Sequence, residues 1–239
     1  MRQEIYPLEM DDDLDDVVGL AALAEPQRRK LYRYVTRSAG PVGRESAAEA
    51  TGVPVHTAKF HLDRMVDDGL LEVEFRRLTG RTGPGAGRPA KLYRRAQREF
   101  AVSLPERHYD LLSEVLADAA AASIEQRVAV DVVAGDVARR HGERLGTDHA
   151  TDEPADLRRL GAVLEEVGYE PRVDGGRMVL ENCPFDRIAQ QHTALVCGLN
   201  LQLVQGVVDG LGCVGVSAGL EPSPGRCCVS ARAEDQRPD

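Results

Sequence analysis

The chain contains five cysteines, and all of them lie in its last quarter. Thirteen, fifteen and thirteen residues separate the first four, and the fifth follows the fourth directly: Cys183, Cys197, Cys213, Cys227 and Cys228. Thiolates bind zinc and iron–sulfur clusters, but zinc ribbons use closely spaced Cys-x-x-Cys pairs, which this chain lacks. The fold must therefore bring distant cysteines together. Their concentration predicts a metal or cluster site, with burial of each cysteine as a small hydrophobic residue as the alternative.

The elements expected around the cysteines allow such a convergence. Residues 149–233 alternate between helical and strand patterns, which predicts a small α+β sensor domain. Its cysteines are expected at the ends of elements: Cys183 after a strand, Cys197 between two helices, Cys213 between a helix and a strand, and Cys227 in the last strand. His192 lies on a predicted helix and offers a nitrogen ligand. An enzyme with Cys197 as nucleophile and His192 as base is disfavoured, because no oxyanion or acid motif accompanies them.

The net charge of the whole chain is −9, but the charge is unevenly distributed. Residues 1–24 carry one Arg against seven Asp and Glu residues, and residues 101–239 are also acidic. Residues 25–100 carry sixteen Lys and Arg residues against nine Asp and Glu residues, a net charge of +7. A basic domain of this size is typical of a surface that binds nucleic-acid phosphates, and a randomly uneven surface is the alternative.

The basic region has the pattern of a winged helix-turn-helix. Apolar residues at helical spacing predict three helices, which begin at Pro26, near Arg44 and at Val55, and Gly52 is placed to end the second. The period changes to two in LLEVEFRR, and KLYRRA follows a loop rich in Gly and Pro, so two strands form a hairpin or wing. The sequence predicts an α+β fold with a DNA-binding domain over residues 21–100.

The third predicted helix enters the major groove of DNA in this architecture. Its exposed positions carry hydrogen-bond donors and one aromatic ring that suit base edges, phosphates and a thymine methyl group: His56, Thr57, Lys59, Phe60 and Arg64. His61 lies beside the core face, so a phosphate contact and a structural role are both open. The residues expected to neutralise phosphates from the wing are Arg77, Arg81, Arg88 and Lys91. For Arg81 and Arg88 the alternative is a solvated loop charge.

Residues 101–148 are predicted to be dimerisation helices. One broken helix or two helices run from Pro105 to about Leu145, and apolar residues cover much of the surface. A second subunit would cover such a surface, and packing within one chain is the alternative.

Both ends of the chain are expected to be tails, namely the acidic residues 1–20 and the polar residues 234–239. We find no run of about 18 apolar residues and no apolar core of a signal peptide. The sequence therefore predicts a cytoplasmic protein without a membrane partner.

The two halves together resemble the iron–sulfur-sensing transcriptional repressors of the SufR type, within the ArsR-like winged-helix regulators. The resemblance rests on HTAKFHLDRMVDDGLLEV in the first half and on ENCPF, HTALVCGLNLQLVQG and PGRCCV in the second. It implies a homodimer that binds an inverted repeat in double-stranded DNA. It also implies an iron–sulfur cluster, [4Fe–4S] or [2Fe–2S], in each C-terminal domain, whose state would control DNA affinity.

The resemblance also implies the cluster ligands. Matching positions are Cys183, Cys197 and one of the adjacent pair Cys227 and Cys228, while the fourth position falls to Cys213, to His192 or to a non-protein ligand. Three alternatives keep the winged-helix regulator without a cluster. They are a zinc site, a thiol–disulfide switch that uses the adjacent pair and a partner, and a small-ligand sensor with no metal.

Overall fold

The computed structural model describes residues 11–77, 89–151 and 155–233. The chain forms two compact units, Met1–Val102 and Ser103–Asp239. Each unit combines helices with an antiparallel sheet, in agreement with the α+β fold class. The expected tail at residues 234–239 lies outside the described residues.

The first unit contains four helices and a three-stranded sheet within the described residues. In chain order they are α1 (Asp11–Ala22), α2 (Pro26–Arg37), β1 (Val42–Gly43), α3 (Arg44–Thr51), α4 (Val55–Asp67), β2 (Leu71–Arg76) and β3 (Ala90–Arg95). Strand β3 lies in the middle of the sheet and pairs with β1 and β2. Three helices, α2 to α4, followed by the β2–β3 hairpin form the winged helix-turn-helix that the periodicity predicts. The sequence gives no signal for the two-residue strand β1.

Local signals determine the ends of α2 and α3. Pro26 is the first residue of α2, and the carboxylate of Glu25 accepts hydrogen bonds from the backbone amides of Gln27 and Arg28. These bonds satisfy amides that have no partner within the helix. Gly52 ends α3 with a φ of +69°, in the left-handed region that glycine adopts without strain. The turn between α3 and α4 is therefore encoded locally.

Helix α1 covers part of the segment that the sequence predicts to be an acidic tail. The carboxylate of Asp16 binds the Arg98 guanidinium at 2.8 Å and accepts a hydrogen bond from the backbone amide of Ala101 at 3.0 Å. The Gly19 backbone packs against the ring of Phe100. Residues 11–20 are therefore helical, and partners about eighty residues away hold the helix against the unit.

The second unit contains five helices and a four-stranded antiparallel sheet within the described residues. In chain order they are α5 (Tyr109–Gln126), α6 (Val130–Asp148), α7 (Leu157–Glu165), β4 (Pro171–Asp174), β5 (Arg177–Leu180), α8 (Asp186–Gln191), α9 (Thr193–Leu211), β6 (Val216–Leu220) and β7 (Val229–Ala233). The strand order is β4-β5-β7-β6. The β4–β5 hairpin turns at Gly175 and Gly176, which both have a positive φ.

Helices α6 and α9 lie side by side with their backbones in contact. A Cβ atom on Gly206 would lie 2.1 Å from the carbonyl oxygen of Arg139, and one on Gly210 would lie 2.2 Å from that of Glu143. Both contacts advance by four residues on each helix, so the two helices run in the same direction. Only residues without a side chain permit backbones to approach this closely.

Among the described residues, α9 is the one helix whose length and apolar composition would let it cross a membrane. Half of its apolar window is buried in the unit, where it packs against α6. This packing is that of a core helix.

Helices α5 and α6 belong to the second unit and do not form a separate segment. Leu112 and Val115 of α5 and Val137 of α6 lie in the same core as α9 and the sheet. Much of the apolar surface that predicted a subunit contact is therefore buried within the chain. Ile124 and Val132, near the turn between the two helices, remain 79% and 65% exposed.

Candidate nucleic-acid interface and cysteine site

Helix α4 presents one face to the core of the first unit and the opposite face to solvent. Ala58, Leu62 and Met65 are fully buried, at the helical spacing that the sequence predicts. Lys59 is exposed, and the ring of Phe60 is 63% exposed, with an edge-on contact to the ring of His61 at 5.3 Å between centroids. His56 at the start of the helix is exposed and Thr57 is half-buried. The outer face of α4 therefore offers a cation, an imidazole, a hydroxyl and an aromatic ring.

His61 lies in the core and not on the outer face of α4. It is 8% exposed, its Nδ1 accepts a hydrogen bond from Arg28 Nε at 3.5 Å, and its Nε2 lies 3.6 Å from Glu25. Both ring nitrogens face partners within the unit. The structural role that the sequence left open fits His61 better than a contact with DNA, because its polar atoms are already directed inward.

Two further predicted contacts are engaged in ion pairs on the protein surface. Lys91 of β3 lies 2.5 Å from the carboxylate of Asp63, and that carboxylate also accepts a hydrogen bond from the Tyr93 hydroxyl at 2.7 Å. Arg64 pairs with Asp68 one helical turn later, at 3.0 Å. The Asp63 contacts join α4 to the wing strand, so the helix and the wing have a defined relative position within the unit.

Hydrogen bonds and burial have opposite effects on the pKa of Asp63. Burial would raise the pKa of Asp63, but the hydrogen bonds from Lys91 and Tyr93 outweigh it and lower the pKa. Burial and the bond to Asp63 both raise the pKa of Tyr93. At neutral pH the pair is therefore a carboxylate with a phenol donor.

The remaining wing residues divide between described and undescribed parts of the chain. Arg77 follows β2 and is exposed. Arg81 and Arg88 lie outside the described residues, so their contacts with DNA stay predictions.

Residues 23–74 match the family model of a helix-turn-helix domain. The matched range runs from three residues before α2 into β2 and includes α4, whose exposed face is described above. The match indicates a DNA-binding transcriptional regulator. No curated protein matches the chain.

One solved structure with sequence similarity is a solution NMR structure from Mycobacterium bovis, the homodimeric winged helix-turn-helix DNA-binding domain of a possible ArsR-family transcriptional regulator. It is 25% identical, and the alignment covers 48% of this chain and 91% of that chain. The TM-score is 0.30, which is too low to support an argument about the fold.

Four of the five cysteines form two pairs in the second unit. Cys197 and Cys228 form a disulfide, with Cα atoms 6.5 Å apart. Cys197 lies in the second turn of α9, and Cys228 directly precedes β7. The sequence places Cys197 between two helices, but the break between α8 and α9 is at His192 and not near Cys197.

Cys183 and Cys227 form a second pair, in which both residues are buried and the two thiols share a hydrogen bond. Asn200 of α9 donates its side-chain amide to Cys227 Sγ at 3.2 Å and accepts a hydrogen bond from the Tyr169 hydroxyl. Asn200 is 1% exposed, and these bonds satisfy it in the core. The sequence reasoning missed both Asn200 and Tyr169, although a lone Asn in the apolar stretch CGLNLQLV was a signal.

The thiols of this buried pair differ in acidity. The hydrogen bond with Cys227, together with burial, raises the pKa of Cys183. Hydrogen bonds from Cys183, from Asn200 and from backbone amides lower the pKa of Cys227, although burial opposes them. Cys227 is therefore the thiol that ionises first.

Cys213 lies apart from the other four cysteines. It follows the C-terminal end of α9, whereas Cys197 is near the N-terminal end, and fourteen residues from Cys197 to Leu211 span roughly 21 Å of helix. Its sulfur lies 4.0 Å from the backbone oxygen of Asp156, and burial raises its pKa. The structure therefore does not bring Cys213 together with the proposed ligands.

His192 is exposed at the junction of α8 and α9, more than one turn before Cys197. Within residues 11–77, 89–151 and 155–233, no group of three or more His, Cys, Asp or Glu residues is arranged to hold a metal ion. The four remaining cysteines are gathered near the start of β7, but as two pairs.

Proposed function

We propose that the chain is a transcriptional regulator that inserts α4 into the major groove of an operator. The observation that carries the proposal is the outer face of α4, where Lys59 and the exposed ring of Phe60 stand beside His56 and Thr57. Neither Lys59 nor His56 forms a salt bridge with another described residue. A solvent-exposed aromatic ring beside an unpaired cation suits a thymine methyl group and an adjacent phosphate.

The regulator acts as a homodimer on an inverted repeat, in the cytoplasm. Exposed apolar side chains cluster around the turn between α5 and α6 and offer a surface for a second copy: Ile124, Val128, Val130 and Val132. Two-fold symmetry of the protein then matches the symmetry of the operator, whose half-sites lie about one helical turn of DNA apart.

An iron–sulfur cluster in the second unit controls the affinity for DNA. The ligands are Cys183, Cys197 and one of the adjacent pair Cys227 and Cys228. Thiolate sulfurs are the donors that an iron–sulfur cluster takes. Four cysteines are held as a disulfide and a hydrogen-bonded thiol pair, and these two pairs must rearrange to share a cluster, because no group of three or more potential ligands is arranged for a metal among the described residues. Cys213 is left out because it lies at the far end of α9. A bound cluster would supply a redox- and oxidant-sensitive centre.

A thiol–disulfide switch is the second candidate, and the Cys197–Cys228 pair favours it. In the reduced form both residues are thiols. A peroxide accepts two electrons from them, the sulfurs form one S–S bond, and the two thiol protons leave with the peroxide oxygens as water. The partner of Cys228 is then Cys197, and the adjacent Cys227 stays with Cys183.

One experiment separates these candidates. The protein is purified without oxygen, its absorption spectrum is recorded, and iron, sulfide and zinc are assayed on the same sample. Matched iron and sulfide with broad absorption near about 400 nm support the cluster. A colourless, metal-free protein whose DNA affinity changes with peroxide supports the disulfide switch.

DNA binding itself is tested with duplexes selected by the protein from a random-sequence pool. Enrichment of an inverted repeat by the wild-type protein, and its loss in F60A with the fold intact, supports insertion of α4. A protein that enriches no sequence overturns the proposal.

A further inference from the structure

The residues that begin the second unit lie against the loop that carries Cys183. The junction segment, residues 103–108, runs from the boundary after Val102 to the first residue of α5. The cysteine loop, residues 182–184, follows β5. The junction segment is the part of the second unit that is covalently joined to the helix-turn-helix unit.

The Arg107 side chain binds both a side chain and a backbone carbonyl group of the cysteine loop. Its Nη1 donates to the carbonyl oxygen of Cys183 at 3.0 Å and to the side-chain oxygen of Asn182. Its Nη2 lies 3.9 Å from the carboxylate of Asp186, the first residue of α8. The Arg107 side chain is 18% exposed, so its charge is directed into these partners. Charged donors of this kind make stronger hydrogen bonds than neutral ones.

Asn182 of the cysteine loop also donates hydrogen bonds, one of them to the junction segment. It is 6% exposed, and its amide donates to the backbone oxygens of Glu106 at 2.9 Å and of Gly168 at 2.6 Å. The backbone amide of His108 donates to the carbonyl oxygen of Pro184 at 3.2 Å. Four hydrogen bonds therefore join the junction segment to the cysteine loop.

The same loop holds the sulfur that pairs with Cys227. The sulfur of Cys183 shares a hydrogen bond with the buried thiol of Cys227. The carbonyl oxygen of Cys183 accepts hydrogen bonds from Arg107 and from the backbone amide of Asp186. Cys183 is buried, so a new partner at its sulfur displaces the loop backbone wherever rotation about its one side-chain torsion does not accommodate that partner. The Cys183 carbonyl oxygen, which accepts a hydrogen bond from Arg107, moves with that backbone.

We propose that Arg107 is a positioning residue through which the chemical state of Cys183 sets the conformation of the junction segment. Ligation of Cys183, or its oxidation by a peroxide to a disulfide with Cys227, shifts its carbonyl group, and the shift passes through Arg107 to residues 103–108. In that oxidation the two sulfurs form one S–S bond, the peroxide accepts two electrons, and the two thiol protons leave with the peroxide oxygens as water. The point at which the helix-turn-helix unit is attached changes as a result. This inference rests on the proposed control of DNA affinity by the cysteines and names the route by which that control leaves the cysteine site.

The first test is a double-mutant cycle in the full-length, reduced protein, with C183A and R107A and hydrogen exchange at the His108 amide as the measurement. We expect C183A to speed exchange of that amide at least about fivefold in the presence of Arg107, and less than about twofold in R107A. Equal effects of C183A in both backgrounds overturn the inference. Circular dichroism checks that each variant is folded.

Two variants make the test specific. R172A removes a neighbouring ion pair, between Arg172 and Glu181 at 2.7 Å, and leaves the junction segment untouched. R172A is expected to behave as wild type in the cycle. R107K keeps the positive charge without the forked donors and is expected to give an intermediate coupling. If R107A does not fold, R107K carries the cycle, and full wild-type coupling in R107K overturns the inference.

A second measurement separates this inference from the proposed function. A duplex selected by the reduced wild-type protein is titrated with reduced and with peroxide-oxidised protein. The wild type is expected to change affinity at least about tenfold, and R107A less than about twofold, while mass spectrometry finds the same cysteines oxidised in both. An unchanged wild-type affinity overturns redox control of DNA binding, even where the cycle at His108 shows coupling.

Discussion

The carboxylate of Asp63 in α4 lies 2.7 Å from the hydroxyl of the buried Tyr93 in β3 and accepts its hydrogen bond. The same oxygen binds Lys91 at 2.5 Å. An acidic residue on α4 is therefore used to position the wing strand. Asp63 neutralises the positive charge of Lys91 at the surface, and its two bonds hold β3 in a defined position against α4.

The D63A substitution is expected to lower the free energy of unfolding of the first unit by about 1–3 kcal/mol, because it leaves the Tyr93 hydroxyl without its acceptor. Chemical denaturation measures the change. D67A is the matched control, since Asp67 lies on the same helix and is exposed. Equal effects of the two substitutions would show that the Tyr93 bond does not stabilise the unit.

The stabilisation by Asp63 is expected to depend on pH. Since the pKa of Asp63 is lowered in the folded state, its contribution is complete above the unfolded value of about 3.9 and is lost as the pH falls through the folded value. The difference in unfolding free energy between wild type and D63N should therefore shrink as the pH falls below about 4. A difference that stays constant down to acid denaturation would contradict this.

K59A is expected to reduce the slope of log affinity against log salt concentration by about 1, since one fewer phosphate is neutralised. F60A is expected to weaken binding to the selected duplex by about 1–3 kcal/mol with little change of slope. Fluorescence anisotropy over a range of salt concentrations measures both. K30A, on α2, removes the same charge from the same unit and should leave the slope unchanged. A slope that falls equally in K30A would mean that the effect is general electrostatics.

G206A is expected to destabilise the second unit by about 3 kcal/mol, because the added Cβ would lie 2.1 Å from the carbonyl oxygen of Arg139. G198A, on the same helix, meets nothing within 4 Å and should raise stability by up to about 1 kcal/mol through helix propensity. Thermal or chemical unfolding compares them. A stable G206A would show that α6 and α9 separate without cost.

Peroxide oxidation is expected to join Cys197 to Cys228 and to leave Cys213 as a free thiol. Peptide mapping under non-reducing conditions identifies the bond. C197S and C228S should each abolish it, and C213S should not, because Cys213 lies at the opposite end of α9. A mapped bond that includes Cys213 would contradict the separation of these residues.

The sequence by itself determined most of the first unit. Pro26 and Gly52 carry local signals for the beginning of one helix and the end of another, and the change of period at Leu71 marks the wing. These signals depend on neighbouring residues only, so no tertiary information is needed to recognise them. The exposed face of α4 followed from the same helical period.

The tertiary structure alone decided which polar groups meet. The sequence could not indicate that His61 turns inward to Arg28 and Glu25, or that Asp63 binds the wing. The sequence placed Cys197 and Cys213 on either side of one predicted helix, but it could not show that Cys197 meets Cys228 and that Cys213 lies beside the backbone oxygen of Asp156. Ion pairs and thiol pairs form between residues that are distant in sequence, and their partners are set by how the helices and sheet pack.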